Sequence, residues 1–308
     1  MVSWRTRPVA VVDCDGEGVT DDDLPAPAST GRHRTLRPWA VVVVAVALVA
    51  GGAFVARQLR PVETYGATIV STQVHSDLLD RDLEQITVLP AGFRKADRRP
   101  LLVLLHGRGD SPAGRANGAL MEALASAGDA APAVLLANGG EASYYHDRDD
   151  GPWGSYVVDE LIAVTVTRYG LNRSRVVYAG ISMGGYGALE MVRASAQRQC
   201  GVAAMAPALW PSASQTPDGA FDDAEDFVSH DVYGAVADDP AALHGTPVFL
   251  VVGEDDPFAP ITTRLADRLR AGPSKVEFHT APGGHDSAFW DAHAREVVAW
   301  AASRSARC

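Results

Sequence analysis

Residues Arg175–Gly185 read RVVYAGISMGG, and this stretch decides the fold. RVVYA is a short apolar, β-branched run of the kind that forms a buried strand. Gly180-Ile181-Ser182-Met183-Gly184 follows at once, and Gly185–Ala196 then reads as a helix. Gly-x-Ser-x-Gly between a strand and a helix describes a sharp turn. Small residues two before and two after the serine let the backbone fold tightly and push Oγ out beyond the sheet. The N-terminus of the following helix favours negative charge there. An ordinary capping serine is the bland alternative. A hydroxyl is a weak nucleophile until a base removes its proton, so a histidine and an orienting carboxylate are expected after other strands.

Working outward, apolar runs alternate with helical patterns. Thr68–Val74 and Gln85–Leu89 read as early strands, and Leu101–Leu105 (LLVLL) and Ala133–Ala137 as strands buried on both faces. Further strands are expected at Gly201–Ala206, Pro247–Val252 and Lys275–Thr280. Helices are expected at Ala116–Ala127, Ser155–Tyr169, Ile261–Ala271 and His285–Ser303. This alternation predicts an α/β fold, a mostly parallel sheet with helices on both faces. Its functional residues belong in the loops that follow strands.

Of nine histidines, His279 falls inside a predicted strand and His293 in the final helix. His285 sits in the loop Pro282-Gly283-Gly284-His285-Asp286 after the last strand, where a base is required. The acid belongs in Gly253-Glu254-Asp255-Asp256-Pro257, after the preceding strand, and all three carboxylates qualify by type. The resulting chain order is Ser182, then the acid, then His285. The tetrahedral intermediate needs two N–H donors. One is expected from the backbone of Met183. The other is expected from Leu105-His106-Gly107-Arg108-Gly109-Asp110, most naturally at Arg108.

LLVLLHGRGD, SYVVDELIAVTVTRYG, RVVYAGISMGGYGALEM, VVGEDDPF and PGGHDSAFW together resemble the α/β-hydrolase superfamily. The likeness is to the esterase group that includes S-formylglutathione hydrolases, feruloyl esterases and mycolyltransferases, and it spans about residues 100–290. The resemblance implies a Ser182–Asp256–His285 triad, with Asp256 taken as the acid because related loops place it three residues after the glycine. It also implies oxyanion donors on Met183 and Arg108, and a serine esterase that needs no metal or organic cofactor. It leaves open an acyltransferase of the mycolyltransferase type acting on a sugar hydroxyl, although His106 leans toward hydrolases. A surface protein that only binds is the alternative outside catalysis. A peptidase using the same triad is a further one.

Tyr144, Tyr145 and Trp153 follow the strand Ala133–Ala137 and are expected to contact substrate. Asp147, Asp149 and Asp150 beside them lack the later glutamate of a calcium loop. Residues 207–244 are expected to cap the site, with Trp210 and Phe221 as candidate lining; Trp290 is expected to pack in the core.

The chain has 308 residues and a formal net charge of −11, which disfavours nucleic-acid binding. Residues 1–57 carry six acids and six arginines, so the whole excess belongs to residues 58–308. Residues 40–56 read AVVVVAVALVAGGAFVA without a charge. That length is slightly short of a hydrocarbon core of about 30 Å, and Trp39 extends it. The expected organisation is a disordered tail (1–38), a transmembrane anchor (39–57) and a catalytic domain (58–308). A cleaved signal peptide and a buried core helix are the alternatives for the apolar segment. Arg32, Arg34 and Arg37 precede that segment, whereas Arg57 and Arg60 follow it. This places the N-terminus weakly inside and the catalytic domain outside. Cys14 then stays in a reducing compartment, and Cys200 and Cys308 form an even pair outside, a candidate disulfide. The substrate is expected to be a small-molecule, lipid or sugar ester; oligomeric state is not legible.

Overall fold

The computed structural model describes residues 62–308. The expected tail and transmembrane anchor lie outside the described residues. Among the described residues no helix is long and apolar enough to cross a membrane.

Eight strands form the main sheet: β1 (Thr68–Ser76), β2 (Arg81–Leu89), β3 (Leu101–Leu105), β4 (Ala133–Ala137), β5 (Val176–Ile181), β6 (Val202–Met205), β7 (Val248–Gly253) and β8 (Val276–Ala281). Their spatial order is β1-β2-β4-β3-β5-β6-β7-β8. The pairs β1–β2 and β2–β4 are antiparallel. Every other neighbouring pair is parallel, as the alternation of strand and helix predicts.

The continuous apolar runs have a direct cause. Leu101, Val103 and Leu105 of β3 pack into one core and Leu102 and Leu104 into the other, on opposite faces of the sheet. Truncating any of these leucines to alanine costs about 2–5 kcal/mol through lost burial and the cavity left behind.

The principal helices are α1 (Gly118–Ala127), α2 (Trp153–Ser155 continuing through Tyr156–Leu161 to Ile162–Tyr169), α3 (Met183–Ala194), α4 (Ala224–Ser229), α5 (Val232–Asp238), α6 (Ala259–Arg270) and α7 (Ser287–Ala306). The expected helix at Ser155–Tyr169 is present, but Tyr156–Leu161 is a π-helical stretch. There the buried Tyr156 hydroxyl accepts a hydrogen bond from the Gln85 amide of β2. The polar segment 207–244 contains α4 and α5, begun by the capping side chains of Asp223 and Asp231. A disulfide joins Cys200, just before β6, to Cys308 after α7, with Cα atoms 5.4 Å apart.

Candidate active site

The turn after β5 puts Ser182 at φ 54° and ψ −114°, a conformation that is costly for a residue bearing a Cβ. The neighbours enforce it. A Cβ on Gly180 would collide with the backbone of Gly184, and one on Gly184 with the carbonyl of Leu105. The Ser182 N–H donates to Met205 O at 3.0 Å, and its carbonyl accepts from Tyr186 and Ala208. Ser182 begins α3 without a capping hydrogen bond from its side chain, so Oγ is free for another partner.

That partner is His285. Its Nε2 lies 2.8 Å from Ser182 Oγ, and its Nδ1 lies 2.7 Å from Asp256 Oδ2. Asp256 is 3% exposed, and its other oxygen accepts the Phe258 N–H at 2.8 Å. Glu254 and Asp255, the other two carboxylates of the loop, are exposed. The carboxylate can only accept, so Nδ1 carries the proton and Nε2 presents a lone pair to the hydroxyl.

Gly107 and Arg108 lie across from Ser182. A Cβ on Gly107 would stand 3.6 Å from that of Ser182, and both Gly107 and Arg108 border the same cavity. Met183 opens α3 directly after the serine. His106 shapes this loop from behind. Its Nδ1–H donates to Gly107 O at 2.9 Å, and its Nε2 accepts the Gly139 N–H at 3.2 Å. Burial lowers its pKa and keeps it neutral, as this bonding pattern requires. The Arg108 guanidinium donates to Asp218 O at 3.1 Å and ties the loop to segment 207–244.

The cavity over Ser182 measures about 470 Å³. Tyr144, Trp210, Phe258 and Trp290 make its aromatic wall, and segment 207–244 also contributes Gln215 and Pro217. Of the three expected substrate residues, only Tyr144 borders it. The expectation for Tyr145 and Trp153 is corrected. Tyr144 and Tyr145 both have positive φ, 53° and 57°, and their rings part. Tyr145 is buried behind the loop His106–Asp110, where its hydroxyl accepts the His106 N–H at 3.0 Å. Trp153 is buried at the start of α2, with its Nε1–H donating to Asp150 and Arg81 over its ring. Phe221 sits one layer back, stacked on Tyr144 and His146. Trp290 packs against the core, as expected, and its exposed side also borders the cavity, where it meets His285 edge-on at 5.4 Å between ring centroids. Phe258, at 5.3 Å from the same imidazole, went unmarked in the sequence. Its place directly after Asp256-Pro257 was the available signal.

A family model described as "Putative esterase" matches residues 76–301. No curated protein matches the chain. Among solved structures, a ferulic acid esterase superposes with a TM-score of 0.68 at 21% identity, covering 77% of this chain and 98% of its own. An S-formylglutathione hydrolase from Agrobacterium tumefaciens gives 0.66 at 19% identity, covering 80% and 98%. FphF, a fluorophosphonate-binding serine hydrolase of Staphylococcus aureus, gives 0.63 at 20%, covering 77% and 98%. At these identities the likeness is one of fold, and the fold is that of the α/β-hydrolases.

Proposed function

The chain belongs to the Esterase family, and from that premise we propose that it cleaves carboxylic esters through an acyl-enzyme on Ser182. The observation that carries this reading is the unbroken line Ser182 Oγ–His285 Nε2 and His285 Nδ1–Asp256 Oδ2, at 2.8 and 2.7 Å.

Ser182 Oγ attacks the acyl carbon while His285 Nε2 takes its proton. Asp256 holds the tautomer and steadies the imidazolium. The oxygen that becomes negative is received by the backbone N–H groups of Met183 and Arg108. His285 then returns the proton to the departing alkoxide. Water repeats the sequence on the acyl-enzyme, losing its proton to His285 and freeing the acid. No step calls on a metal or an organic cofactor.

The aromatic wall of Tyr144, Trp210, Phe258 and Trp290 suits an ester with a flat or apolar group beside the carbonyl. The acidic balance of the domain weighs against highly anionic substrates. Segment 207–244 caps the site. Residues 39–57 anchor the chain in a membrane with the catalytic domain outside. The Cys200–Cys308 bond supports that placement, since disulfides persist in oxidising compartments.

The test is Ser182→Ala in the full chain, assayed on p-nitrophenyl esters of graded length and with a fluorophosphonate probe. Loss of both turnover and label is expected. A label that survives the substitution overturns the assignment.

A further inference from the structure

His279, His293 and Glu296 form the one group of three or more potential metal ligands found close together among the described residues. They lie apart from the Ser182–His285–Asp256 line. His279 is on β8, the edge strand of the sheet; His293 and Glu296 are one helical turn apart on α7. One potential ligand atom from each falls within 4.8 Å of the others, and His279 Nε2 stands 3.4 Å from Glu296 Oε2. We propose that these three side chains bind a divalent transition-metal ion, with zinc as the best-matched, and so tie β8 to α7.

The chemistry of each group fits. His293 Nδ1 is 2.8 Å from the Phe289 carbonyl, which can only accept, so Nδ1 carries the proton and Nε2 keeps its lone pair. Donation from the second ring nitrogen to a carbonyl is how metal-binding imidazoles are held in the correct tautomer and orientation. The Phe289 ring packs on His293 at 4.2 Å, and Phe249 meets the His279 ring edge-on at 5.9 Å, so both imidazoles are already supported. Two imidazole nitrogens and one carboxylate oxygen make a three-ligand zinc set. Bonds of about 2.0–2.2 Å bring tetrahedral ligands to about 3.4 Å from one another. The His279–Glu296 pair already has that spacing, and modest rotation of side chains brings in His293. The His279 and Glu296 side chains are 41% and 45% exposed, which leaves the fourth position to water.

The position gives the ion a consequence. The loop that carries His285 leaves the end of β8 and enters α7. A metal held by both elements closes the base of that loop. The ion touches neither substrate nor the reacting atoms, and the site goes beyond the esterase reading without depending on it.

The test uses the full chain stripped with chelator, titrated with zinc chloride by calorimetry and equilibrium dialysis, with folding checked by circular dichroism. One zinc per chain is expected. Affinity is expected to fall at least about tenfold in His279→Gln and, separately, in the exposed Glu296→Gln. His285→Gln should bind zinc as the unaltered chain does. Three results each overturn the proposal: no stoichiometric uptake by the unaltered chain, unchanged affinity in Glu296→Gln, or loss confined to His285→Gln, which would place the ion over Ser182. If His279→Gln fails to fold, Glu296→Gln decides alone.

Discussion

The hydroxyl of Tyr145 accepts the backbone N–H of His106 at 3.0 Å, so a side chain with no access to the cavity holds the start of the loop that carries Arg108. The same hydroxyl lies 3.4 Å from His106 O and 3.5 Å from Ala137 O, where its proton is shared. Tyr145→Phe leaves a buried N–H without a partner. We expect a loss of about 1–3 kcal/mol in urea unfolding. On the proposed mechanism, in which this loop donates to charge that develops in the transition state, we also expect a fall in kcat with little change in KM. An unchanged kcat would remove Tyr145 from any positioning role.

Asp256 is buried against His285, whereas Glu254 and Asp255 face solvent. Asp256→Asn is expected to lower kcat by about 10⁴-fold, through loss of the required imidazole tautomer. Asp255→Asn and Glu254→Gln should stay near the parent rate. Greater damage from Asp255→Asn in steady-state kinetics would reassign the acid.

His230 bonds to the buried Glu190 at 2.8 Å, which raises its pKa above the ordinary 6.5. The folded state therefore binds this proton more tightly than the unfolded chain does. The resulting stability is full below about pH 6.5 and is lost as pH rises through the folded value. The neighbouring His146, 4.7 Å away ring to ring, is shifted the opposite way by burial. The comparison must therefore be made against His230→Gln and not across pH alone. The stability gap between the parent and His230→Gln should be wider at pH 5.5 than at pH 8.5 in chemical denaturation. A gap that widens with rising pH contradicts the reading.

The disulfide joins residues 108 positions apart. Closing so long a loop restricts the unfolded chain, and Cys308→Ser is expected to cost about 2–5 kcal/mol. Differential scanning calorimetry with and without reductant measures it. Reductant should lower the Tm of the parent and leave that of Cys308→Ser in place.

The path from sequence to site was direct where backbone geometry demands particular residues. The glycines of the turn at Ser182 admit no Cβ, and β3 is apolar throughout because each of its faces meets its own core. Three adjacent carboxylates could not be ranked by composition, because burial of Asp256 is set by the turn after β7. Tyr144 and Tyr145 are the same residue type side by side. Only their left-handed backbone sends one ring to the cavity and the other behind the loop. Trp290 packs against the core as its sequence position suggests, and its second contact, edge-on to His285, comes from the first turn of α7 standing next to that loop. The π-helical stretch of α2 departs from the 3.6-residue period, with Tyr156 meeting Gln85 of β2. That is a tertiary contact no local pattern records.

The bond from Cys200 to Cys308 encloses Asp256 and His285 within one covalent ring and leaves Ser182 outside it. A protease that cuts once within segment 207–244, where exposed residues such as Asp222, Asp223 and Ala224 invite attack, would therefore release no fragment. The nicked chain would keep its mass on a gel until a thiol is added. Asp256 and His285 would travel with Ser182 through damage that would otherwise separate them.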